Sequence, residues 1–242
     1  MADVQPDAII HAQALSDVDR CEFEPALAQA LNVQTIQHVV AALRGLPTWL
    51  IYMSTDYVFD GVKAQPYDEL DVPHPISVYG CSKLGGEATA LRHPQAIVVR
   101  TSTLFGPGRM NFCDHLVSRL RQGQSVEAFR DQTTSPTYTE DLADGLRAVL
   151  EALPRKAVPG RMLHVSNRGG CTRLAFAQRV ADALGASRES IRVMAMAEQH
   201  RPAPRPPSSA LTSRYLTTLI GSPLRPWDEA LTAYLRQYHC VN

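Results

Sequence analysis

Apolar residues in this chain come in short unbroken runs separated by longer stretches with helical spacing. The runs fall in residues 6–12 (Pro6-Asp7-Ala8-Ile9-Ile10-His11-Ala12), 48–54, 95–101 (Gln95-Ala96-Ile97-Val98-Val99-Arg100-Thr101) and 162–166. Runs of this length without alternation suit strands buried on both faces of a parallel sheet. Between them, Ala26, Ala30, Val33, Ile36, Val40 and Leu43 recur at helical spacing, and Pro25 suits a first helical turn. A second helix is predicted from the N-cap Ser77 to about Arg92, weakened by Gly85-Gly86. Phe112, Leu116, Val117 and Leu120 make one amphipathic face, and Leu142, Leu146, Val149 and Leu150 another within Asp141–Leu153. Thr172 caps a helix from Arg173 to Leu184 that Gly185 ends, and residues 228–238 form the last. Strands alternating with helices predict an α/β fold with a doubly wound parallel sheet.

Composition narrows the function classes. The 242 residues carry 24 basic and 24 acidic side chains, so no net charge draws the chain to nucleic acid or an anionic membrane. A hydrophobic share of 45% suits a sizeable core. The five cysteines, Cys21, Cys81, Cys113, Cys171 and Cys240, form no Cys-x-x-Cys and read as reduced thiols of a cytoplasmic protein, with no metal site. No apolar run approaches a membrane span of ~18–20 residues, and no signal peptide opens the chain. Residues 200–209, rich in proline, read as an ordered loop, and His164 as a satisfied core histidine.

The chemistry gathers in residues 49–83. Trp49-Leu50-Ile51-Tyr52-Met53 is apolar and ends in Ser54-Thr55-Asp56. That is the pattern of a buried strand whose C-terminal end meets a ligand. Tyr79 and Lys83 lie four residues apart, on one face of the predicted helix. A hydroxyl, a phenol and an ammonium together suit carbonyl reduction. A phenol ordinarily titrates near ~10, and a neighbouring cation is expected to lower it.

Ser54-Thr55-Asp56-Tyr57-Val58-Phe59, a proline-bearing loop, and Tyr79-x-x-x-Lys83 resemble the extended short-chain dehydrogenase/reductases, within them the dTDP-4-dehydrorhamnose reductase family. The resemblance implies a Rossmann-like sheet with a smaller α/β substrate domain, roughly residues 1–105 and 106–242, with 161–166 returning to the sheet. It implies NADPH or NADH as cofactor and a nucleotide-sugar substrate, and leaves a homodimer open. Thr55, Tyr79 and Lys83 become the catalytic residues. Ala12, Ala14, Ser54, Tyr79 and Lys83 become cofactor-binding, although Ala12 and Ala14 by themselves also read as core packing. Asn111, Phe112, Gln132, Pro136, Thr137 and Arg201 become substrate-binding. Read alone, residues 129–138 are also a turn followed by a helix N-cap. Asn32 falls where the superfamily often has a structural asparagine.

Two departures stand out. The family opens with a strand and a glycine-rich turn that hold the cofactor pyrophosphate, and neither Gly-x-x-Gly-x-x-Gly nor Gly-x-Gly-x-x-Gly occurs here. Residues 8–12 then correspond to the fourth strand, with roughly 60 residues of the family pattern upstream, and should form an exposed sheet edge. Thr103 also stands where the rhamnose reductases carry tryptophan. The alternatives are a non-catalytic regulatory subunit like the methionine adenosyltransferase β subunit, and an epimerase or dehydratase of the same superfamily.

Overall fold

The apolar runs become strands and the periodic stretches become helices. The structure, a computed structural model, describes residues 4–154, 158 and 160–241. In chain order, β1 is Ala8–His11, α1 Val18–Phe23 and α2 Pro25–Gln29. A π turn at Ala30–Gln34 leads into α3 Thr35–Ala42. β2 is Trp49–Thr55, α4 Val78–Ala90, β3 Ala96–Thr101 and β4 Leu104–Phe105. Then follow α5 Phe112–Arg121, β5 Val126–Phe129, β6 Thr133–Thr134, β7 Thr137–Tyr138 and α6 Thr139–Ala152. The remainder is β8 Met162–His164, β9 Cys171–Thr172, α7 Arg173–Leu184, β10 Ile191–Met194, α8 Leu216–Ile220 and α9 Trp227–His239.

The main sheet has the order β1-β2-β3-β8 and is parallel throughout, with Ala8 beside Trp49, Leu50 beside Ala96 and Val98 beside Met162. One face buries Ile51, Ile97, Val99 and Leu163 against Leu142 and Val149 of α6 and Leu216 of α8, with Trp49 at the margin. The other buries Leu50, Tyr52 and Val98 against Ile36, Leu43 and Ala90. Helices on both faces explain why the strands read as unbroken apolar runs. Each such side chain contributes about 1.5–3 kcal/mol by leaving water.

A second core joins α5, α7 and α9. Phe105, Tyr138, Phe176 and Tyr234 pack ring on ring at its centre, and Trp227 lies against it. The chain does not finish one core before starting the other. It returns to the main sheet at α6–β8 and again at α8, then closes on the second core with α9.

Two expectations change. The stretch expected as one helix after Pro25 is interrupted by the π turn, where Asn32 turns inward to bind Leu15 and Ser82. Gly85-Gly86 does not break α4. A Cβ on Gly86 would lie 2.0 Å from the Tyr52 hydroxyl, so the glycine lets α4 press against β2. The proline-rich loop 200–209 is anchored by Arg205, which grips Asp19 at 2.6 and 2.8 Å, and by Ser209, which reaches Asp56.

Candidate active site

β2 delivers Ser54 and Thr55 to the C-terminal edge of the sheet, and a 3₁₀ turn over Asp56–Val58 follows. Thr55 Oγ1 accepts the Tyr57 N–H at 3.2 Å and donates to Asp56 Oδ1 at 3.1 Å. The Asp56 carboxylate is buried and also takes the hydroxyls of Ser102 at 2.7 Å and Ser209 at 2.5 Å. Burial nonetheless pushes Asp56 above the usual carboxylate range. α4 starts where the Ser77 hydroxyl accepts the Gly80 N–H and Glu22 accepts the Val78 N–H. A Cβ on Gly80 would sit 2.3 Å from the Tyr57 carbonyl, so this glycine too permits close approach. Tyr79 thereby meets Tyr57 edge to face, ring centroids 5.7 Å apart.

Lys83 is 3% exposed. Its ammonium donates to the Met53 carbonyl at 2.7 Å and lies 4.3 Å from the centre of the Tyr52 ring. His11, at the end of β1, stacks on the same ring. Burial pulls Lys83 down to about 8, against the opposing pull of Glu87. The Tyr79 phenol moves the other way. Burial pushes it above its ordinary value, the Thr55 hydroxyl opposes the rise, and Asp56 adds to it. The expected lowering of Tyr79 by Lys83 is absent here: the ammonium faces Met53 and Tyr52, and burial dominates both groups.

A cleft of about 670 Å³ collects these side chains. Ala12, Ala14, Ser54, Thr55, Tyr79 and Lys83 all line it, as does Asn111. Asn111 is also the N-cap of α5, accepting the Cys113 N–H at 2.9 Å. A second cleft of about 460 Å³ opens between α5, β5 and the 199–201 segment, lined by Phe112, Gln132 and Arg201. Arg201 lies 4.8 Å from the centre of the Phe129 ring. Pro136 and Thr137 line neither cleft. They are buried, with Thr137 in the β4–β7 pairing and its N–H on the Thr103 carbonyl at 3.0 Å. Thr103 lines the first cleft with φ 38°, a backbone region that disfavours side-chain-bearing residues.

Arg173 escaped the sequence reading. It begins α7, stacks 4.7 Å over Phe112 and lines both clefts. No acidic residue stands three or four positions away on either side, and that was the available signal. Arg173, Arg201 and Arg205 all act electrostatically on Tyr57, so the junction of the clefts is cationic.

The residues fit the nicotinamide-ribose end of a dinucleotide. Ala12 and Ala14 leave room beside β1, and Lys83 offers an ammonium at the cleft wall. Among the described residues no three His, Cys, Asp or Glu side chains converge as a metal site needs, and no helix is long and apolar enough to cross a membrane.

Comparison with known proteins finds relatives of the whole fold. Residues 1–240 match the family model for the RmlD substrate binding domain. The dTDP-4-dehydrorhamnose reductase of Mycobacterium tuberculosis is 39% identical over 235 residues, covering 95% of this chain and 76% of that protein. That of Streptomyces griseus is 36% identical, covering 96% and 77%. The crystal structure of a dTDP-4-dehydrorhamnose reductase from Clostridium acetobutylicum superposes with a TM-score of 0.88 at 30% identity, covering 98% of this chain and 83% of that one. The Bacillus anthracis reductase, solved in complex with NADP, gives 0.86 at 30% identity, covering 98% and 82%. With its Rossmann-like sheet and its Thr-Tyr-Lys cleft, the chain belongs to the RmlD-like dTDP-4-dehydrorhamnose reductase family of oxidoreductases.

Proposed function

We propose that this chain reduces the 4-keto group of a dTDP-linked deoxysugar with NADPH or NADH. The observation that carries the reading is the meeting of Thr55, Tyr79 and Lys83 in one cleft that adjoins, at Arg173, a second cleft. When bound, the nicotinamide supplies a hydride to the carbonyl carbon. Tyr79, a phenol protonated at neutral pH, holds the proton that passes to the carbonyl oxygen. Thr55 swings its hydroxyl hydrogen from Asp56 to that oxygen. Lys83 binds the ribose hydroxyls.

The second cleft suits the nucleotide. Arg173 and Arg201 face the diphosphate, while Phe112 and Gln132 offer a ring and an amide to the base. Asp56 argues against dehydratase chemistry, because three hydroxyls already occupy its buried carboxylate.

The test is titration of NADPH and NADH into the purified chain by nicotinamide fluorescence, then turnover of dTDP-4-dehydrorhamnose. Tyr79→Phe is expected to bind cofactor while losing about 10²–10⁴ in kcat. A folded chain that binds neither nucleotide would overturn the reading and favour a regulatory subunit.

A further inference from the structure

Behind the catalytic side chains lies a buried ion pair with no part in the hydride and proton transfers. Glu87 stands one turn after Lys83 on α4. Its side chain and that of Arg100 on β3 are each 3% exposed. Arg100 Nε and Nη2 donate to the two carboxylate oxygens at 2.9 and 2.7 Å. The Ser54 hydroxyl donates to Glu87 Oε1 at 2.6 Å. One carboxylate thus ties α4, β3 and the catalytic end of β2 together. As a source of stability such a pair is weak, since desolvating two charges costs several kcal/mol and an apolar substitute often serves as well. Its position beside Lys83 suggests what else it does.

Lys83 is faced by few groups. From α4 comes Glu87, from β2 the Met53 carbonyl and the Tyr52 ring, and from β1 His11. Arg100 approaches from β3, behind Glu87. Glu87 is the one carboxylate in this set. We propose that Glu87, partly neutralised by Arg100, is a positioning residue for the reduction: it fixes the end of the catalytic strand through Ser54 and sets how firmly Lys83 holds its proton. The inference rests on reading Lys83 as the residue that binds the nicotinamide ribose.

Charge arithmetic separates this role from packing. Glu87→Gln keeps the shape and an acceptor for Ser54 but removes the negative charge. Lys83 then loses its proton more readily. Arg100→Gln leaves Glu87 unpaired, and Lys83 holds its proton more firmly.

The experiment measures NADPH affinity and kcat against pH for the wild type, Glu87→Gln, Arg100→Gln and Ser54→Ala. The alkaline limb is expected to move down by about one pH unit in Glu87→Gln and up in Arg100→Gln, an ordinary size for a nearby charge. Ser54→Ala should lower kcat without moving the limb. If Arg100→Gln does not fold, the double variant Glu87→Gln/Arg100→Gln replaces it and should shift downward like Glu87→Gln. Limbs that stay fixed, or move the same way in both single variants, overturn the proposal. Lys83→Ala supplies the separate check: unchanged NADPH affinity in that variant refutes the reading of the site itself.

Discussion

At the scale of single residues, burial decides the protonation of the site. It raises the Tyr79 phenol and lowers the Lys83 ammonium, so each is moved toward its neutral form. For Lys83 this has a cost in stability. The unfolded lysine keeps its proton to about 10.5, whereas the folded one sheds it near about 8. Between those values the unfolded state binds more protons, so stability rises with pH across that window. Below about 8 the full penalty applies, up to about 3 kcal/mol at 1.36 kcal/mol per unit. Lys83→Met is therefore expected to raise urea stability at pH 7 by up to about 3 kcal/mol, to erase the alkaline rise, and to abolish NADPH binding. Equal stability of the two proteins at pH 7 and pH 10 would contradict this account.

At the scale of elements, α4 is held against β2 by the absence of side chains. Gly86→Ala would drive a methyl into the Tyr52 hydroxyl and the Asn32 carbonyl. A loss of about 1–3 kcal/mol in urea unfolding is expected, with weaker cofactor binding as Tyr79 and Lys83 shift. Gly85→Ala is the internal control. Its nearest contact is the Val33 side chain at 3.2 Å, and the helix gains propensity, so stability should change by less than about 1 kcal/mol. Similar losses in both variants would show that helix propensity, not close approach, governs α4.

The long elements were legible because their signals are local. Apolar runs marked β1, β2, β3 and β8, and Ser77, Thr172 and Gly185 marked helix ends. The short pairings were not. Leu104 meets Thr137, Thr133 meets Thr172, and Val126 meets Ile191, partners far apart in sequence whose two to four residues carry no period of their own. The site divided along the same line. Ser54, Thr55, Tyr79 and Lys83 sit in one motif-bearing stretch that reaches one cleft. Arg173 depends on how α7 is set against α5, and the inward turn of Asn32 depends on a π turn that helical periodicity conceals.

At the scale of the whole molecule, β1 lies at one margin of the main sheet. Among the described residues β1 pairs with β2 alone, as expected for residues 8–12, and Ile10 is 42% exposed there. An unpaired edge with apolar exposure recruits other strands. The apparent weight-average mass from light scattering should therefore rise with protein concentration, and Ile10→Lys should reduce that rise; an apparent mass independent of concentration in the wild type would show that the edge is protected.

The interleaving of the two cores has a practical side. The chain has two tryptophans, Trp49 at the start of β2 in the main sheet and Trp227 against the α5–α7–α9 core. Each core therefore carries one indole. Replacing either indole with phenylalanine leaves a single tryptophan, and the two melting curves read from its emission, excited apart from the tyrosines, report whether the halves part in one cooperative event or in succession.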